Sequence, residues 1–305
     1  MRKWLAAALG IACCLQPISL LGQTSQPSGW TQTIAEQYVI LPDITYLTVD
    51  NNALKLDIYQ PRKPASLVPV VIYFHGGGWV RRDKDEAVLR LLPYLQMGWA
   101  VVNVDYRLAS AALAPAAVED CRCALRWIVA HGVAYRLDTS KIVLVGASAG
   151  GHLALMAGIA PSSAGLDREC PGGDDIRVAA IVNWFGITDV ADLLAGKNRR
   201  DYAVAWLGNQ KDRKQIARRV SPLTYIRPGL PPIITVHADK DPTVPYSQAV
   251  RLHRALDRAG VPNQLITIRG EKHGHYAPED DLIAYPAVQA FLAKHGVTSL
   301  APATH

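Results

Sequence analysis

At 305 residues the chain is long enough for one large α/β domain or two modest ones, and 50% hydrophobic against 19% charged residues supports a packed core and excludes general disorder. The formal charge is +6, or +4 (30 Lys and Arg against 26 Asp and Glu) once Arg2 and Lys3 leave with the leader described next. That surplus is too small, and the clusters Arg81-Arg82, Arg199-Arg200 and Arg218-Arg219 too short, to argue for a nucleic-acid partner.

The chain opens on "MRKWLAAALGIACCLQPISLLGQTSQPSGW". Two basic residues, an apolar stretch from Trp4 to Leu15 and a polar tail have the form of a secretory signal peptide, so residues 1–25 are expected to be removed, with cleavage between Gly22 and Gln26. The apolar stretch is too short and interrupted for a spanning helix, and "GIAC" lacks the leucine usual before a lipidated cysteine. Residues 26–305 are then one domain, secreted or periplasmic, with no stable membrane insertion.

Residues 44–50, "ITYLTVD", and 54–59, "LKLDIY", alternate around Asn51-Asn52 and predict a hairpin. After a proline-containing stretch the pattern changes. "VPVVIYF" (68–74), "WAVVNVDY" (99–106), "KIVLV" (141–145), "VAAIVNW" (178–184), "PIITVH" (232–237) and "QLITIR" (264–269) are apolar runs with little alternation, the mark of strands buried on both faces. Helical segments are expected at 84–96, 115–131, 148–159, 246–259 and 279–295. Strands alternating with helices give the fold class: an α/β domain built on an eight-stranded, mostly parallel sheet with helices on both faces. The interval 186–231 is too long for a connection and contains three short helical patterns, so it is expected to form a small inserted cap, without a core of its own.

The leader would take Cys13 and Cys14 with it, leaving Cys121, Cys123 and Cys170. On a helix, positions 121 and 123 point apart and do not bond each other. Either one of them bridges to Cys170 in an exported protein, or all three are free thiols.

Within "KIVLVGASAGGHLALMAG" (141–158), Ser148 stands at a strand-to-helix corner among Gly146, Ala147, Ala149, Gly150 and Gly151. Most serines before helices are caps, but a cap needs no glycines two residues away on both sides. Small neighbours allow a sharp turn with strained backbone at the serine and expose its hydroxyl as a nucleophile. A serine needs an imidazole to take its proton, an acid to orient that imidazole, and N–H donors for the developing oxyanion. "YFHGGGW" (73–79) follows the first of the buried strands, so the amides of Gly77 and Gly78, with that of Ala149, are candidate oxyanion donors. The acid is Asp239 or Asp241; the rigid Asp241-Pro242 turn after a strand favours Asp241. The base is His273 or His275, in "RGEKHGHYAPED"; His273 is closer to its strand and favoured. His75 and His152 are expected to be structural. Trp79, Trp184 and Trp206 are candidates for an aromatic-accepting pocket, or else core residues.

The ordered run "HGGGW", "DYRL", "GASAGGHLA", "DPTVP" and "HGH" closely resembles the α/β-hydrolase family, and within it the acetyl esterase, carboxylesterase and feruloyl esterase group related to hormone-sensitive lipase, over residues 44–295. The resemblance implies an α/β-hydrolase fold and an acyl-enzyme mechanism with Ser148, Asp241 and His273 as triad and Gly77, Gly78 and Ala149 as oxyanion donors. It gives "DYRL" (105–108) a structural role. The chain departs from the hormone-sensitive-lipase pattern in having only about twenty residues between the expected cleavage site and the first strand, where those enzymes carry a helical cap. That removes one wall of the acyl pocket and argues against long, insoluble esters. The reading is a secreted serine esterase for short acyl or aromatic esters, whose alcohol side is a small molecule or a plant polysaccharide. No cysteine or histidine cluster has zinc spacing and no phosphate-binding glycine loop is present, so no cofactor is expected. A serine peptidase or amidase, and a non-catalytic binding module, are the alternatives.

Overall fold

The computed structural model describes residues 34–170 and 176–298; the expected leader lies outside them. Eight strands form one sheet in the order β1-β2-β4-β3-β5-β6-β7-β8. β1 (Tyr38–Val49) and β2 (Asn52–Pro61) make the hairpin, turning through Asp50 and Asn51, both at positive φ. β1 and β2 pair antiparallel, as do β2 and β4 (Ala100–Val104). β3 (Val68–Phe74), β4, β5 (Leu137–Ala147), β6 (Ala180–Trp184), β7 (Ile233–Ala238) and β8 (Asn263–Ile268) run parallel.

The buried runs lack alternation because both faces of the sheet are covered. Val70, Ile72 and Phe74 of β3 face one apolar layer, and Val71 and Tyr73 face the other. β1 begins six residues before the alternating segment: the pairing slips between Leu41 and Ile44, where Pro42 and a positive-φ Asp43 bulge the strand and break its period. The segment expected as a helix over 84–96 is a 3-10 helix, Asp85–Leu91, followed by the short α-helix Leu92–Gln96. Pro93 has no N–H to donate, so no continuous α ladder runs through it. The remaining long helices are Ala116–His131, Ala149–Ile159, Ser247–Arg258 and Pro278–Lys294. Among the described residues no helix is long and apolar enough to cross a membrane.

Residues 186–231 form short helical pieces, among them Asp201–Leu207 and Arg213–Arg219. Their buried side chains Ala203, Trp206, Leu207, Ala217 and Val220 join the apolar layer on one face of the sheet. Cys123, on the helix Ala116–His131, is disulfide-bonded to Cys170 with a Cα–Cα distance of 5.5 Å, and Cys121 is a buried free thiol.

Candidate active site

Parallel pairing brings several strand ends to one edge. Phe74 of β3 is in register with Gly146 of β5, Ala147 with Trp184 of β6, and Ala238 of β7 with Ile268 of β8. The loops leaving those strands therefore emerge side by side, although they are distant in sequence.

Ser148 occupies the corner between β5 and the helix Ala149–Ile159 with φ 58° and ψ −120°. That strained conformation is held by close packing on both sides. A Cβ on Gly146 would lie 2.2 Å from the Gly150 carbonyl oxygen, one on Gly150 1.9 Å from that of Phe74, and one on Gly151 2.4 Å from Asn183 Oδ1. The glycines are small because backbone already fills the space. The Ser148 side chain makes no capping bond to its helix. Its Oγ is instead 2.9 Å from His273 Nε2.

His273 Nδ1 lies 2.6 Å from Asp241 Oδ2. A nitrogen facing a carboxylate carries the proton, which leaves Nε2 with a lone pair for the serine hydroxyl. Asp241 Oδ1 accepts the amides of Thr243 at 2.7 Å and Val244 at 2.9 Å, so the Asp-Pro turn grips its own carboxylate. Burial alone pushes the Asp241 carboxyl up. Hydrogen bonds from His237, His273 and the Val244 amide outweigh that effect and hold the group well below the ordinary carboxylate range. Asp239, the other candidate, accepts the Gly270 amide at 2.8 Å and serves a turn. His275 is exposed on the cleft wall and its amide donates to the Lys272 carbonyl.

Gly77 and Gly78 line the cleft beside Ser148, both at positive φ, 115° and 65°. A Cβ on Gly77 would meet the Arg81 carbonyl oxygen at 2.0 Å, and one on Gly78 the Tyr202 Cβ at 2.9 Å. Among the described residues no hydrogen bond occupies the N–H groups of Gly77, Gly78 or Ala149, so they are available to a ligand oxygen. The loop is braced from below. His75 stacks on Tyr106 with ring centroids 4.2 Å apart, its Nδ1 bonds the Gly76 carbonyl, and Tyr106 donates to the His75 carbonyl at 2.8 Å. Burial lowers His75 to a pKa of about 4. Arg107 of the same "DYRL" stretch is forked onto Asp120.

The tryptophans do not line the cleft, which corrects the expectation placed on them. Trp79 and Trp206 are wholly buried, stacked with centroids 4.0 Å apart, and His152 packs edge-on against both. Trp184 is buried and donates to the Tyr94 hydroxyl at 3.1 Å. The aromatic positions on the wall are Tyr73, Phe185 and Tyr202. Phe185, at φ 42°, packs 4.7 Å from the His273 ring. Tyr202 comes from the inserted segment and donates to the Thr243 carbonyl, linking the glycine loop to the Asp241 turn. Sequence reasoning missed Phe185, although its place just beyond β6 was a signal, and it missed His237, four residues before Asp241. The cleft has a volume of about 760 Å³. Among the described residues no group of three His, Cys, Asp or Glu side chains could hold a metal ion.

The model of the BD-FAE family matches residues 56–256. The chain belongs to the BD-FAE family. That match runs from within β2 into the helix Ser247–Arg258 and includes the glycine loop, Ser148 and Asp241, while His273 lies beyond it. The chain is also 31% identical over 239 residues to the esterase LipC of Mycobacterium tuberculosis, covering 74% of this chain and 58% of LipC. It spans about half the length of the mycobacterial esterases it matches. Among solved structures, a truncated carbohydrate esterase from gut microbiota superposes with a TM-score of 0.72 at 26% identity, covering 84% of this chain and 96% of that one. The esterase Est2 of Thermogutta terrifontis gives a TM-score of 0.70 at 29% identity over 86% of this chain and 94% of that one. The architecture of this BD-FAE member is the α/β-hydrolase fold that those esterase structures share.

Proposed function

We propose that the chain is a serine carboxylic-ester hydrolase working through an acyl-enzyme on short acyl or aromatic esters, of acetyl or feruloyl type, with a plant polysaccharide as the alcohol side. The observation that carries this reading is the unbroken relay from Ser148 Oγ to His273 Nε2 and from His273 Nδ1 to Asp241, set beside unoccupied amides at Gly77, Gly78 and Ala149.

In this mechanism Ser148 Oγ attacks the ester carbonyl while His273 Nε2 takes the hydroxyl proton, and the oxyanion rests on the three amides. Collapse breaks the ester C–O bond, and His273 returns its proton to the departing alcohol. Water then adds to the acyl-enzyme, giving its proton to His273. The second collapse breaks the bond to Ser148 Oγ and releases the carboxylic acid, while His273 returns its proton to Oγ and restores the serine hydroxyl. Asp241 keeps the imidazole oriented and balances its transient charge. Thermogutta terrifontis esterase 2 has been captured phosphorylated by paraoxon, which suits a serine nucleophile at the equivalent centre here.

The cleft supports a polar alcohol. Arg81, Arg82, Glu86, Arg90, Asp201 and Lys272 line its wall, a surface better matched to hydroxyl groups than to a long alkyl chain. The carbohydrate esterase among the structural relatives points the same way. Export to an oxidising compartment fits the Cys123–Cys170 bond together with the signal-like sequence over residues 1–25.

The test is Ser148→Ala in the mature protein. Hydrolysis of p-nitrophenyl acetate is expected to vanish into background while the circular dichroism spectrum stays unchanged, and a fluorophosphonate probe is expected to label wild type only. Wild-type turnover in the folded variant would overturn the reading. A panel from acetyl to decanoyl esters, with methyl ferulate and acetylated xylan, then ranks the substrates, and anilide analogues test for amidase activity.

A further inference from the structure

We infer that His237 is a positioning residue for this chemistry: its Nε2–H holds the same carboxylate oxygen of Asp241 that holds His273. The inference rests on the reading of Ser148, Asp241 and His273 given above.

His237 is the penultimate residue of β7 and is wholly buried. Its Nε2 lies 3.2 Å from Asp241 Oδ2 and 3.0 Å from the Val244 carbonyl oxygen. Both neighbours are acceptors, so this nitrogen carries the hydrogen. The other nitrogen, Nδ1, is buried with no hydrogen-bond partner. A hydrogen there would be a buried donor bonded to nothing, so the geometry places the ring's hydrogen on Nε2 and leaves Nδ1 bare.

Three donors hold Asp241 in hydrogen-bond geometry, and the His237 Nε2–H, which also serves the Val244 carbonyl, is the fourth polar contact at 3.2 Å. Thr243 and Val244 amides occupy Oδ1, while His273 and His237 share Oδ2. The backbone pair fixes one oxygen, and His237 keeps the second from turning away from the His273 ring. Sharing also divides the carboxylate's pull. With His237 gone, the whole charge of Oδ2 bears on His273, favouring its protonated form, so the base would take up its proton at a higher pH. The other groups facing this cluster are Tyr246, edge-on to His237 at 5.7 Å; the phenols of Tyr202 and Tyr276; and Arg200, whose guanidinium bonds the Pro242 and Thr243 carbonyls. Burial raises both Tyr202 and Tyr276 above the ordinary phenol range, away from neutrality.

The alternative is a merely structural imidazole that caps the Val244 carbonyl. Two variants separate the roles. His237→Gln keeps an N–H donor at about the reach of Nε2, and His237→Leu removes it. Hydrolysis of p-nitrophenyl acetate by the full mature chain is followed as kcat, KM and the acidic limb of the pH profile. His237→Leu is expected to lose about tenfold in kcat, the order of one net buried hydrogen bond, with KM unchanged and the acidic limb moved to higher pH. His237→Gln is expected to restore both. A folded His237→Leu with wild-type kcat and limb, or a His237→Gln as impaired as His237→Leu, would overturn the inference. If His237→Leu does not fold, nitrogen-15 NMR of the wild-type histidines decides. His237 is expected to carry its hydrogen on Nε2, and a hydrogen on Nδ1 instead refutes the role. Fluorophosphonate labelling of Ser148 is run on every sample: its failure in wild type would refute the hydrolase reading itself, whereas labelled samples with indifferent His237 variants would refute only this inference.

Discussion

Two aspartates two positions apart in "HADKDP" have different partners, and the difference is testable. Asp239 accepts one backbone amide, that of Gly270, near the surface. Asp241 receives His273 on Oδ2 at 2.6 Å, where the amide nitrogen of an asparagine can only donate. Asp241→Asn therefore forces the imidazole to turn or to present the wrong tautomer, and kcat is expected to drop by about 10⁴-fold. Asp239→Asn keeps an acceptor for Gly270 and is expected to stay within about twofold of wild type, a loss of a few tenths of a kcal/mol at an exposed turn. Steady-state kinetics on both variants checks the contrast; equal losses would mean that the acid has been misassigned. Asp241 and His273 were legible in the sequence because each follows an apolar run closely, and β7 and β8 end at the same edge of the sheet. His237 was not, because its direction depends on strand register. The same holds for the tryptophans: nothing in "HGGGW" or "YAVAWLG" says that Trp79 and Trp206 stack on each other beneath the cleft instead of facing it.

At the level of elements, the parallel strands were legible and the irregular ones were not. Runs such as Val70–Phe74 and Ile142–Val145 advertise burial on both faces, and the structure places them in the middle of the sheet. β1 hid its first half behind a bulge, and the first helical segment hid a 3-10 stretch behind a helix-like pattern interrupted by Pro93. The disulfide lay between these cases: an odd cysteine count allowed a bridge to Cys170, but only the helix rotation selects Cys123 over Cys121. That bond closes a loop of sequence separation 47 between the helix Ala116–His131 and the segment after the helix Ala149–Ile159. Closure of such a loop is worth about 2 to 4 kcal/mol through the unfolded chain. In a domain of this size that corresponds to a fall in Tm of about 5 to 10 °C. Cys123→Ala with Cys170→Ala is expected to show that fall in a thermal melt, and wild type in reductant to match it. A melt unaffected by either treatment would mean that the bond forms without constraining the unfolded state.

Across the whole molecule, covering both faces of the sheet buries imidazoles that the chemistry does not use, and this ties global stability to pH. His152 sits in the helix Ala149–Ile159, wholly buried, with Nε2 2.6 Å from the Val220 carbonyl and Nδ1 unpartnered. Burial, only partly offset by the Val220 bond, lowers its pKa from the ordinary 6.5 to about 4. As the pH falls below 6.5 the unfolded chain takes up a proton that the folded chain refuses, so stability present above 6.5 is lost progressively down to about 4 and no further below. The full gap corresponds to about 3 kcal/mol. His75, also lowered to about 4 by burial, acts in the same direction. Asp105 acts oppositely: burial raises it from 3.8 to about 6, so between those values the folded chain keeps a proton that the unfolded chain gives up, and this favours folding as the pH drops. The wild-type curve is therefore a difference, and a single variant isolates one part of it. His152→Gln cannot titrate but retains a donor for Val220. Urea unfolding at pH 7.5 and 4.5 is expected to show the variant losing about 2 to 3 kcal/mol less than wild type between the two conditions. Equal losses would mean that the native protein accepts the proton at His152, and that the packing around Trp79 and Trp206 opens to admit it.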